Sequence, residues 1–386
     1  MSEKEVKKVR YHGMDSLRAI AMLLGIILHG IIVYQVTPPR EGFPNDPLNH
    51  FIGFDHIYGW IHAFRMPLFF IVAGFFGRFL YLKIQEKAFI KHRIRRIGIP
   101  LLIGIVTIVP LSAFPLNYYK YAYLRELSAN VAFQKAAFDL VGWNGFFHLW
   151  FLYQLMILYF IMVVFNKYLL RLTFINRIFI QNPYNLLNAL ILILISFLTL
   201  LFFYDSTIPP WTPYNGIKPD IGQTLYYGLF FYFGYVIQKR SLIDNVKGLN
   251  IILYGVAGTV LYASKFIFTF DIVMEKLIWS GETILLSLSF LGLFNKFLNV
   301  KNNLIRYISD ASYWLYLAHF PVVSTLQILF LHIAWPLYIE LTIILFLTFF
   351  ITFYTYEHFV RYTLIGDYLN GPRERVKISF KPVFRL

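Results

Sequence analysis

Long apolar stretches recur along the chain, separated by short polar or basic segments. Ten of them reach the roughly 20 mostly apolar residues that a membrane-crossing helix needs: 15–36, 57–82, 97–116, 145–166, 186–204, 221–238, 250–270, 278–298, 311–333 and 336–360. The pattern predicts an all-α integral membrane protein, a bundle of about ten transmembrane helices. It forms a single transmembrane domain over 1–386, with a short basic end at 1–14 and a tail at 361–386. No internal repeat and no soluble domain stands out, and the longest polar connection, 117–144, has room for one short surface helix. The first apolar run follows a basic head, and no small-residue cleavage site comes before Pro38, so it is expected to persist as an uncleaved first span.

Composition agrees with the pattern and narrows the chemistry. Hydrophobic residues make up 58% of the chain and charged residues 14%, against about 25% charged in a soluble domain, so lipid is the expected solvent. The absence of cysteine excludes disulfides, thiolate nucleophiles and cysteine zinc sites, and no metal site is expected. A net charge of +15 raises nucleic acid as a partner, but the basic residues alternate with the apolar stretches, as membrane topology requires. Nucleic acid is therefore set aside. Loop 83–96 and the tail each hold 6 lysines and arginines, whereas the opposite loops together hold only Arg40, Lys120, Arg125, Lys135, Lys218 and Lys276. By the positive-inside rule both termini are cytoplasmic.

Ionisable groups at bilayer depth cost about 2.5–3.5 kcal/mol on insertion scales, so they mark cavities and function. Arg18 and His29 lie eleven residues apart in the first span, which on a helix is ~16 Å of rise and ~20° of rotation. They share one face, with Arg18 near the cytoplasmic surface and His29 near the midplane. Each has a plain alternative: a snorkelling anchor for Arg18, a carbonyl-satisfied ring for His29. In the second span His62 and Arg65 are one turn apart and can address one site, while Gly74 and Gly77 suit close helix approach. His148, between Trp143 and Trp150, reads equally as a site residue or as part of an interfacial aromatic belt. His319 lies near the midplane of the ninth span, with Tyr316 one turn away to orient it. Glu282 and Glu340 are lone carboxylates, each a possible ion partner for Arg65 or Lys265.

The loop YLKIQEKAFIKHRIRRIGIP places Lys91, Arg93, Arg95 and Arg96 just ahead of the third span. Ordinary interfacial anchoring accounts for its charge. So does a seat for a phosphorylated cytosolic donor, since arginine grips phosphate bidentately, and spacing alone leaves both open.

These elements resemble the acyltransferase 3 family. MDSLRAIAMLLGIILHG is similar to the family's first span, whose arginine and histidine fall on Arg18 and His29. FRMPLFFIVAGFF looks like its second span, RIRRIGIP matches its paired-arginine element at Arg93 and Arg96, and HLWFL and SYWLYLAHFPV resemble two further segments. The resemblance covers most of the chain in family order. It implies a multi-pass O-acyltransferase of the bacterial inner (plasma) membrane, without a bound cofactor. Acyl-CoA is the implied donor, an extracytoplasmic glycan the acceptor, and the lipid bilayer the surroundings. The branch it most resembles succinylates periplasmic glucans, and succinyl or acetyl is the expected group. An extra hydrolase-like domain carried by some relatives is expected to be absent, since 26 residues follow the tenth span. The implied roles are His29 with Arg18 for catalysis, Arg93 and Arg96 for the donor, and His62, Arg65, His148, Tyr316, His319 and Glu282 on the acceptor side or in support. A transporter, or an exporter of acyl groups without transferase activity, is the alternative reading. Paired inverted repeats typical of transporters are not seen.

Overall fold

A computed structural model describes residues 11–39, 43–169, 184–204, 209–210, 216–240, 248–331 and 333–371. The basic head 1–10, the far tail 372–386 and Arg40 lie outside them. Among the described residues every regular element is helical. They are α1 (His12–Ile31), α2 (Ile52–Arg93), α3 (Ile99–Tyr119), α4 (Ala129–Asp139), α5 (Trp150–Leu169), α6 (Leu186–Phe203), α7 (Ile221–Arg240), α8 (Gly248–Ser264), α9 (Ile272–Phe297), α10 (Asn303–Phe330), α11 (Leu337–Thr355) and the short α12 (Leu364–Leu369).

Among the described residues seven helical stretches are long and apolar enough to cross a membrane. One of them, Ile52–Leu124, is 73 residues long, about 110 Å of helix against a hydrocarbon core of about 30 Å. Its continuity breaks at Gln85, whose φ of 65° and ψ of 170° are not helical, so the stretch turns there and carries two predicted segments, 57–82 and 97–116. The predicted segments 221–238 and 250–270 fall on α7 and α8, which are not among the seven. α7 is interrupted by tyrosines, which lower its hydropathy. α8 is only 17 residues long and stops at Ser264, six residues short of the predicted end. The chain turns there because Asp271 caps α9, its carboxylate accepting the amide of Met274 at 2.8 Å. In loop 117–144 the short helix α4 does form.

The bundle is organised around α1, which packs against α2, α9, α10 and α11; α10 in turn lies on α3 and α11, and α2 on α7 and α9. Helices gain little hydrophobic driving force from one another in lipid, so close packing through small residues takes its place. Gly74 of α2 lies against the carbonyl of Phe231, and Gly234 of α7 against that of Ile71. The two backbones touch at this crossing, and a side chain on either glycine would push them apart. Outward faces are apolar: Leu253, Val256 and Val260 on α8 and Phe346 and Phe350 on α11 are all exposed. Such a surface belongs in lipid. The protein is multi-pass.

Candidate functional site

A cavity of about 770 Å³ runs between α1, α2, α3, α5 and α10. Arg93, Arg96 and Asp310 line one end, Arg18, Tyr313 and Tyr316 the next stretch, and His29, His62, Arg65, His148 and His319 the middle; Tyr58, Pro39 and Phe43 line the far end. Arg18 and His29 thus face one space, as their helical spacing predicts. Arg18 Nη2 donates to the carbonyl of Ser309 and to Ser312 Oγ, both at 3.3 Å, so α10 holds the guanidinium at the cavity wall.

Three imidazoles from three parts of the chain meet. The rings of His29 and His319 have centroids 5.3 Å apart, and His319 and His148 are separated by the same distance. Their hydrogen bonds fix the tautomers, because a carbonyl can only accept. His319 Nδ1 donates to the carbonyls of Leu315 and Tyr316 at 2.8 and 2.9 Å, so in the neutral form Nε2 is the basic nitrogen. His148 Nε2 donates to Leu317 O at 3.2 Å, leaving Nδ1 basic. Those two nitrogens and His29 Nδ1 are buried and have no protein partner. Buried polar atoms are normally satisfied, so a cluster of such atoms in a cavity marks a place where something else is to be held.

His148 is buried and lines this cavity. It enters the bundle on a 3₁₀ turn, Phe147–Leu149, just before α5. Phe147 has a φ of 46° and Gly145 one of 83°. For phenylalanine this left-handed conformation costs roughly 1–2 kcal/mol, and contacts around it must hold it. One is the Tyr316 hydroxyl, which donates to the carbonyl of His148. Its one-turn spacing predicts that Tyr316 orients His319, but its hydroxyl fixes the His148 turn instead, and only its backbone carbonyl serves His319.

Arg65 is 8% exposed, and its Nε has no hydrogen-bond partner. Its guanidinium rests on Gly25, where a Cβ would collide with Nη1. Gly25 is one turn before His29, so the cation is laid along the histidine face of α1. Arg65 and His62 both lie within electrostatic reach of His29, and His62 Nδ1 donates to Tyr58 O at 3.2 Å. At the other end the Arg93 guanidinium lies 4.9 Å from the ring centroid of Phe89 and 4.4 Å from that of Tyr159. Tyr313 donates to the carbonyl of Arg96 at 2.7 Å.

A model of an acyltransferase domain matches residues 11–357. The chain belongs to the acyltransferase 3 family. Glucans biosynthesis protein C of Salmonella paratyphi B and of Salmonella heidelberg are each 35% identical to it over 155 residues. That is 39% of this chain and 37% of theirs, so the match spans little more than a third of those relatives. No solved structure matches.

In this acyltransferase 3 chain nine of the ten residues to which the resemblance gives site roles line one cavity; Glu282 does not. It is fully buried, and its carboxylate takes Lys265 Nζ at 2.7 Å, the second of its two expected partners. Glu340 likewise serves another group, accepting the Tyr34 hydroxyl at 2.9 Å. Removing one member of a buried pair strands the other, at about 3–5 kcal/mol. Glu282→Leu is therefore expected to lower thermal stability clearly, whereas Lys265→Met combined with Glu282→Leu should restore most of it. Thermal unfolding in detergent reads both, and a double variant no better than the single one would refute the pairing. Among the described residues no group of side chains is arranged to hold a metal ion.

The sequence reading missed Gly25, Tyr313, Asp310 and the strained Phe147. A lone glycine in an apolar helix is the one available signal for Gly25. The others depend on packing between distant segments.

Proposed function

We propose that this protein is a membrane O-acyltransferase of the bacterial inner membrane. It moves a succinyl or acetyl group from cytosolic acyl-CoA to a hydroxyl of an extracytoplasmic glycan, a periplasmic glucan being favoured by the name of the relatives. On this reading the chain crosses ten times, with both termini in the cytoplasm. One observation carries it: a single cavity is lined by the arginine pair at one end and, further along, by imidazoles that each keep a nitrogen without a protein partner.

In the proposed reaction the phosphates of acyl-CoA sit on Arg93 and Arg96, near Arg18, and the thioester reaches the histidines. The acceptor hydroxyl arrives from the opposite end. His29 takes its proton as oxygen attacks the thioester carbonyl, a role suited to imidazole, whose unperturbed pKa is about 6.5. The carbonyl oxygen gains negative charge, which Arg65 is placed to stabilise. The C–S bond then breaks, the thiolate leaves with the proton held by His29, and the new C–O bond remains. His319 and His148 hold the pocket's shape and its basic lone pairs.

The test is a reconstituted assay with acyl-labelled CoA on the cytosolic side. Label covalently attached to glucan means transferase; free label accumulating outside means carrier and ends the proposal. Charge-assisted hydrogen bonds contribute about 1.5–3 kcal/mol each, so Arg93→Ala combined with Arg96→Ala should raise the KM for acyl-CoA by at least about tenfold. An unchanged KM would remove the donor role from both arginines.

A further inference from the structure

The basic run before α3 is divided between two faces of one helix. Arg93 and Arg96 line the central cavity, whereas Lys87, Lys91 and Arg95 line a separate surface pocket of about 590 Å³. These last three follow one another at four-residue spacing, so they lie side by side on the helix surface. A π-helical turn over Ile94–Gly98 accompanies the division. Lys87, Lys91 and Arg95 are exposed, and among the described residues none of them forms an ion pair. The nearby Glu86 accepts a hydrogen bond from the Tyr81 hydroxyl at 3.1 Å. Tyr368 of α12 closes the pocket, its ring centroid 4.7 Å from the Arg95 guanidinium carbon.

Three unpaired cations would draw a polyanion from either side of the membrane surface, but the rest of the pocket is apolar. Ile90, Ile94 and Ile99 complete its lining. Below Ile99 the outer face of α3 continues with Leu102, Ile103 and Val106, which are 66%, 57% and 75% exposed. A cationic cup standing at the head of a bare apolar row has the layout of a phospholipid, phosphate above and acyl chains beneath. A soluble phosphate compound has no use for the row.

We infer that Lys87, Lys91, Arg95 and Tyr368 form a headgroup site for an anionic phospholipid, distinct from the cavity that holds the proposed reaction. The site shares one wall with that cavity. Tyr368 faces the pocket, whereas the adjoining Leu369 and Asn370 line the cavity, and Asn370 Nδ2 is tied to the carbonyl of Asp310 at 2.9 Å. A lipid drawn onto Arg95 therefore braces α12 against the mouth lined by Arg93 and Arg96.

Thermal unfolding of the detergent-solubilised full chain tests this without relying on activity. Dioctanoyl-phosphatidylglycerol should raise the midpoint, and dioctanoyl-phosphatidylcholine at the same concentration should not. The variant carrying Lys87→Gln, Lys91→Gln and Arg95→Gln should lose that shift. Arg95→Gln alone should lose at least half of it, and serves if the triple variant folds poorly. Stabilisation by acyl-CoA should persist in both. The inference is overturned if the phosphatidylglycerol shift survives the substitutions, if inorganic phosphate alone reproduces it, or if the acyl-CoA shift is lost in its place.

Discussion

His29→Ala is expected to reduce kcat for acyl transfer by about 10²–10⁴-fold, the range that a positioned general base contributes, with little change in the KM for acyl-CoA. The separation of the two parameters follows from the layout of the cavity. On the proposed reading the donor's phosphates sit at the Arg93 and Arg96 end, and His29 lies elsewhere in the same cavity, eleven residues along α1 from Arg18. Losing the imidazole therefore leaves donor binding intact while the acceptor hydroxyl keeps its proton. His29→Gln preserves much of the volume and a hydrogen-bonding end but has no basic nitrogen, so it should be as inactive as alanine. Stability should hardly move in His29→Gln, because His29 Nδ1 makes no hydrogen bond that folding would lose. The measurement is label on glycan at matched protein levels in membranes. More than half of normal activity in His29→Gln would end the general-base assignment. His319→Ala should behave differently, since its Nδ1 satisfies two carbonyls of α10. It should cost some stability along with activity.

Much of this arrangement was legible in the chain. Helical periodicity alone set Arg18 and His29 on one face, and the four-residue logic of a helix paired His62 with Arg65; both pairs open on the cavity. Local rules suffice there because each pair lies within a single helix. They fail where distant segments meet. The Tyr316 hydroxyl reaches back across 168 residues to the carbonyl of His148, and no spacing argument predicts that. The sequence leaves the partner of Glu282 open between Arg65 and Lys265 for the same reason, as the choice depends on how α8 packs on α9. The division of the basic run was hidden more subtly. An ideal helix puts Arg93 and Arg96 on one face, but assigning that face to the cavity and Lys87, Lys91 and Arg95 to a separate surface pocket required the helices around it. Apolar runs marked the helices, whereas their ends depended on caps and turns such as Asp271, and a tyrosine-rich helix such as α7 sits below what length and hydropathy alone would accept as a span.

Arg65→Met should be the other severe variant, lowering kcat by about 10²–10³-fold, the loss seen when one donor to a developing oxyanion is removed. The argument begins with what the side chain costs. A guanidinium eight residues inside a predicted span is expensive to insert, and its Nε has no protein partner to offset that. Methionine fills a similar volume without charge, and exchanging a buried charge for a well-packed apolar side chain is often neutral or stabilising. The prediction therefore has two parts that pull in opposite directions: activity falls steeply, while the thermal midpoint stays level or rises. A structural role would lower both. Gly25 supplies an independent check, because the guanidinium reaches its place only where α1 lacks a Cβ. Gly25→Ala keeps every charge but pushes Nη1 away from the face that carries His29, so it should lose kcat in the same direction as Arg65→Met. The two losses should not add in the double variant, since both act through one displaced cation. If Arg65→Met retains normal turnover, or if the Gly25→Ala and Arg65→Met losses multiply, Arg65 is not the group that receives the carbonyl's negative charge. That duty would then have to fall on donors elsewhere in the cavity.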